Sequence, residues 1–168
     1  MAHYYLSIEV YGKGERPDPL TDRILLAITC PIDPSTGKAL SDPTLLRAWE
    51  IGEAEVTKNL VRRFFGSRAF DAIPVGFNLA FSLWFIKHKA REHLKLDLGD
   101  AVFTEKPALD IKPALVIANR GVFKGVAIGD GGVREWYENV DLARIERHAR
   151  EKFLRFQAEY ARLAKRLR

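Results

Sequence analysis

Histidine, cysteine, serine and glycine-rich turns carry much of protein chemistry, and their spacing in this chain restricts what that chemistry could be. His3, His88, His93 and His148 are dispersed. His88 and His93 stand five apart, not the four that stacks two imidazoles on one helix face for zinc. Cys30 is the only cysteine, so neither a disulfide framework nor a thiolate metal site can form. The stretches GKG (Gly12 to Gly14) and GDGG (Gly129 to Gly132) lack the Gly-Lys-Ser/Thr continuation of a phosphate-gripping loop and read as turns. Ser7 and Ser82 lie in no nucleophile-elbow pattern, which excludes hydrolase chemistry of that type. Binding chemistry is better represented. From Leu142 to Arg168 there are nine Lys or Arg against three Asp or Glu, in a chain whose formal net charge is +5. The basic character therefore belongs to this segment, and a basic helix attracts phosphate. Tyr11, Phe77, Phe81, Trp136 and Tyr137 offer rings on which bases could stack, Tyr11 and Phe77 being the stronger candidates.

The elements that must hold these residues follow from hydrophobic periodicity. The stretch His3 to Tyr11 is rich in β-branched and aromatic residues and reads as a strand. A Gly- and Pro-punctuated loop follows, then Arg23 to Cys30, nearly continuous in apolar residues and so expected inside a sheet. A turn around Pro34 and Gly37 leads to a third strand over Leu45 to Ile51. Short connections between three successive strands predict an antiparallel meander. Val56, Leu60, Val61, Phe64 and Phe65 then line one face of a helix that stops near Gly66. A short strand ending at Asn78, a long helix over Leu79 to Leu96 and a third helix from about Asp110 to Asn119 come next. The final helix, from about Val140, repeats Ile145, Ala149, Phe153, Phe156, Tyr160, Leu163 and Leu167 at spacings of four and three. That apolar stripe is suited to docking on the body or on a partner helix. The expected class is a single α/β domain over residues 1–168, with a mixed sheet containing an antiparallel three-strand meander flanked by helices.

Three separated stretches carry a family resemblance. The run from Tyr5 to Ile28 resembles the first exonuclease motif of the proofreading domain of family-B DNA polymerases. More widely it resembles the four-carboxylate exonucleases of the ribonuclease H-like superfamily. In that family a strand bearing Asp-x-Glu precedes a loop often containing Pro-Asp-Pro; here the positions are Ser7 and Glu9, and Pro17-Asp18-Pro19 follows. The run from Pro74 to Glu92 is similar to the second motif, with Asn78 and Phe81 matching and Ser82 at the aspartate position. The run from Ile145 to Phe153 has the frame of the third, with His148 first and Lys152 where the catalytic aspartate belongs. Glu151 stands one register away, and Tyr137 with Asp141 offers a competing Tyr-xxx-Asp spacing, although Asp141 or Asn139 also suits a helix N-cap.

The resemblance implies a ribonuclease H-like fold and a site built for two divalent metals about 3.5–4 Å apart. Ser7, Ser82 and Lys152 in three of the carboxylate positions argue against that site here. A neutral hydroxyl cannot bridge two hard cations, and an ammonium repels them. Lys152 either pairs with Glu9 as a structural link or makes a neutral-to-basic groove for a phosphate backbone. Arg120 and Lys124, in the stretch from Asn119 to Gly125, are placed by family geometry near that groove. The expected function is a degenerate exonuclease-like protein, a pseudoenzyme, that binds single-stranded nucleic acid or a replication or repair protein and needs no cofactor. The alternatives are a weakly active 3′-to-5′ exonuclease using Glu9 with Mg²⁺ or Mn²⁺, and a structural module forming a homo-oligomer through the C-terminal helix.

Composition adds context. One Gln, four Asn, one Cys and one Met beside many Arg, Lys and Glu is a balance seen in heat-adapted, thermophile proteins. No apolar run approaches the roughly 20 residues that span a bilayer, so no membrane contact is expected. The opening MAHYYLSIEV lacks the plan of a signal peptide, which points to a cytoplasmic protein.

Overall fold

Alternation along the first strand decides which residues face which helices. The computed structural model describes residues 2–14, 16–66, 72–100, 105–122 and 132–166. In β1 (Ala2–Tyr11), Tyr5, Ser7 and Glu9 share one side of the pleat and Leu6 and Ile8 the other. β2 (Arg23–Ile32) runs antiparallel to β1, and β3 (Thr44–Arg47) antiparallel to β2, so the expected meander is present. β4 (Ala72–Gly76) lies on the other side of β1 and parallel to it, and a two-residue β5 (Leu109–Asp110) extends β4 in parallel. The sheet order is β3-β2-β1-β4-β5, a mixed sheet with the expected meander on one side of it.

Helices cover both faces. α1 (Ala48–Ile51) is a single turn, α2 (Glu53–Phe65) and α3 (Leu79–Leu94) pack on the Leu6 side, and Phe64 and Phe85 are fully buried there. Glu53 ties these elements, its carboxylate accepting from the Ile24 backbone N–H at 2.6 Å and lying 3.1 Å from His93. On the Tyr5 side lie α4 (Ile111–Ala118), α5 (Val133–Glu138) and the long α6 (Leu142–Arg166). No helix among the described residues is long and apolar enough to cross a membrane.

The apolar stripe of α6 is docked within the chain. Ile145, Ala149, Phe153, Phe156, Tyr160 and Leu163 are all buried, with the Tyr5 ring 4.8 Å from Phe153 and 4.6 Å from Phe156. A homo-oligomer built through this stripe has no apolar face left there, since six of its residues already cover the sheet; Leu167 lies outside the described residues. The two ends of the stripe are pinned by polar contacts. Arg47 makes a two-pronged ion pair with Glu146, which holds the Glu146 carboxyl below the usual carboxylate range. Tyr160 donates its hydroxyl to the Pro34 carbonyl at 2.8 Å. Its ring leaves no room for a side chain at Gly37, whose φ of 72° is in the left-handed region, so both space and backbone require glycine in this turn. Removing the Phe156 ring is expected to cost about 3–5 kcal/mol in urea unfolding. Leu154→Ala on the same helix, where the side chain is 63% exposed, should stay within about 0.5 kcal/mol.

Two expectations are corrected. The third strand does not run to Ile51: it ends at Arg47 and turns into α1, whose last residue is followed by Gly52 at φ 82°. A strand–helix junction within seven residues is too short for either periodicity to show. Two further elements, β5 and α5, also interrupt the expected order.

Candidate functional site

Parallel pairing of β1 and β4 runs from Ala2↔Ala72 to Tyr5↔Val75, so β4 ends beside the middle of β1. The carboxyl end of such a strand is where open α/β sheets gather ligands. A cleft of about 360 Å³ opens there. β1 contributes Ser7 and Glu9, with Tyr5 deeper. The ladder with β2 slips between Glu9 and Val10, and such a bulge re-aims side chains next to sites. Consistent with the local twist, Ile8 and Val10 also reach the cleft despite their opposite parity. Burial pushes the Tyr5 phenol up, with the Ser7 hydroxyl opposing and the Glu9 charge adding to that shift.

The second wall is the start of α3. Asn78 adopts a left-handed conformation (φ 54°, ψ 46°) and makes no side-chain cap to the helix it precedes. Asp110 caps it instead. Its carboxylate accepts from the backbone N–H of Asn78 at 3.1 Å and of Leu79 at 2.9 Å. The same carboxylate caps its own helix, α4, through the Lys112 N–H at 3.0 Å. Held in this way, the turn presents Phe77, Asn78, Phe81 and Ser82 to the cleft. Gly76 just before it lies so close to β1 that a Cβ would sit 2.6 Å from the Leu6 carbonyl oxygen.

The third wall is α6. Lys152 reaches the cleft and donates to Glu9 Oε1 at 2.7 Å; Glu151 is exposed. The Glu9 side chain is 4% exposed and that of Lys152 18%. Among the described residues that line the cleft these are the only formal charges, so its net charge is zero. All three sequence motifs thus converge, with Ser7 and Glu9, Ser82, and Lys152 around one space and Pro17 of the intervening loop at its rim.

A pair of divalent metals does not fit this donor set. Two metals need several carboxylate oxygens, and here one carboxylate is already engaged by an ammonium while the other positions are hydroxyls. Among the described residues no group of three or more His, Cys, Asp or Glu is placed to hold a metal ion. Asp18 is engaged in its own loop, where its carboxylate accepts from the Leu20 N–H at 2.9 Å.

The remaining candidates lie around the cleft rather than in it. Tyr11 donates its hydroxyl to Glu138 at 3.2 Å and sets its ring 4.9 Å from Tyr137. His148, one turn before Lys152, packs its ring 5.4 Å from Trp136. Arg120 is exposed in a left-handed turn after α4, away from the cleft lining. Lys124 and the GDGG stretch (Gly129 to Gly132) lie outside the described residues, apart from Gly132, which precedes α5. Asp141 accepts from the Arg144 N–H at 3.2 Å and so caps α6, which accounts for its spacing from Tyr137.

Two of the solved structures similar to this chain are exonucleases. E. coli Exonuclease I, solved in complex with a 5cy-dT13 oligonucleotide, aligns at a TM-score of 0.46 and 12% identity over 70% of this chain. Exonuclease I from Methylocaldum szegediense, described as moderately thermophilic, aligns at 0.49 and 16% over 71%. The chain covers 30% of the length of each. No protein-family model and no curated protein matches the sequence.

Asp110 is the site-shaping residue that sequence reasoning missed. An Asp ahead of an apolar helical run signals an N-cap. Its reach to a second helix more than 30 positions earlier has no local signature.

Proposed function

We propose that this chain is an exonuclease-like protein that holds single-stranded nucleic acid in its cleft without cutting it. The observation that carries the reading is the Glu9–Lys152 pair: the one carboxylate in the cleft is buried and bonded to an ammonium at 2.7 Å. That contact leaves no cluster of negative charge either to gather metals or to repel phosphate, beside Asn78 and the rings of Phe77 and Phe81. Phosphate is attracted by the further Arg and Lys side chains that α6 carries beyond this pair. The resemblance to family-B proofreading domains supports the choice of ligand, because its three motifs meet around this space.

The test uses labelled single-stranded DNA with Mg²⁺, Mn²⁺ or EDTA, run warm as the composition suggests. A gel shift that weakens with salt, ignores EDTA and is accompanied by no cleavage is the expected result. Metal-dependent cleavage that disappears in Glu9→Ala would replace the proposal with the active-exonuclease reading. Neither shift nor cleavage would direct attention to a replication or repair protein as the partner.

A further inference from the structure

A line of rings leaves the cleft along α3. Phe81 lines the cleft, and its centroid is 4.8 Å from that of Phe85. Trp84 lies 6.5 Å from Phe85 and 5.4 Å from His88. These positions, 81, 84, 85 and 88, share one helix face by the three- and four-residue spacing of an α-helix. Phe85 is fully buried and anchors the row, while Trp84 is 43% exposed and Phe81 and His88 are half-buried. An indole left in water beside a cleft gives up part of the free energy that burying so large a side chain would contribute. The row is one ring wide, whereas an ordinary protein interface buries about 800 Å² per partner around a broad apolar centre. Its charged neighbours are mixed: Arg91 is exposed one turn past His88, Glu92 beside it is exposed and ion-paired with Lys89, and Lys87 is ion-paired with Asp100. Across the cleft, Arg155 is exposed one turn beyond Lys152. A narrow row of rings suits stacked bases, with the exposed Arg91 and Arg155 available to phosphates.

We propose that the Phe81–Trp84–His88 edge of α3 is a base-stacking track that continues the cleft. Its occupant is the stretch of single-stranded nucleic acid adjoining the nucleotide held between Glu9–Lys152 and Phe77. Stacking uses the π-face that every base has, so the track tolerates any sequence. This inference rests on the proposed nucleic-acid binding and adds where the strand runs.

The experiment compares the parent protein with Trp84→Ala and Trp84→Phe, using oligo-dT of about 2 and about 12 nucleotides, with affinity and tryptophan quenching as readouts. For the longer oligonucleotide, Trp84→Ala is expected to bind about tenfold more weakly and to lose most of the quenching, with Trp84→Phe restoring affinity. The short oligonucleotide should bind all three proteins alike, and the unfolding midpoint of each should match the parent. Equal binding of the longer oligonucleotide by parent and Trp84→Ala overturns the track while leaving cleft binding intact. Failure of the parent itself to bind either oligonucleotide overturns the functional proposal and the track with it.

Discussion

Lys152→Met is expected to destabilise the protein by about 3 kcal/mol, read as a fall in the urea midpoint at unchanged slope. The partner it abandons, Glu9, is 4% exposed and accepts from Lys152 at 2.7 Å. A carboxylate left in such a place must either stay charged without a counterion or take up a proton, and both routes cost free energy. The double variant Glu9→Gln/Lys152→Met separates this cost from lost packing. With both charges gone and the volumes nearly kept, most of the loss should be recovered, because a buried ion pair is often replaceable by neutral groups. A double variant as unstable as the single would show that Lys152 acts through its methylenes, and the electrostatic account of the cleft would fail.

Asp110→Ala should cost about 3 kcal/mol although Asp110 does not line the cleft. One carboxylate satisfies three backbone donors, at Asn78, Leu79 and Lys112, and so caps two helices at once. Its loss strands the first donors of α3 and lets the turn that presents Phe77, Asn78 and Phe81 relax. Amide exchange at Asn78 and Leu79 should accelerate along with the loss of stability, and oligonucleotide binding should weaken. Asp110→Asn is expected to fall between, since one of its two oxygens becomes a donor facing other donors. Full stability in Asp110→Ala would mean that water or another group caps α3 equally well.

Long elements with strong periodicity were legible in the sequence. β1 and β2 announce themselves through β-branched and aromatic residues, and the stripe from Ile145 to Leu163 through spacings of four and three. Short elements were not. β5 is only Leu109 and Asp110, and α5 is six residues after a glycine-rich stretch, both below the length at which a period can be counted. The third strand was overrun because Leu45 to Ile51 is apolar enough to continue, while the junction is fixed by Gly52 at φ 82° and by where α2 must pack. For the site, Ser7, Glu9, Asn78, Phe81, Ser82 and Lys152 were named from the motifs and meet in the cleft. The placement of Tyr11 against Tyr137 and Glu138 was not legible, because it depends on α5. Choosing between Lys152 and Glu151 likewise required the helix phase that the buried stripe sets.

The Glu9–Lys152 bond joins positions 143 apart in the chain. The same closure brings Phe153 and Phe156 onto Tyr5. One face of the sheet can be covered early, by α2 and α3, but the other is only partly covered by α4 and α5 until α6 returns to β1. Contacts of such high order make folding slow, and the waiting face is apolar. During synthesis on the ribosome, the Tyr5 side of the sheet would therefore be a chaperone client for the whole interval between emergence of β1 and emergence of α6.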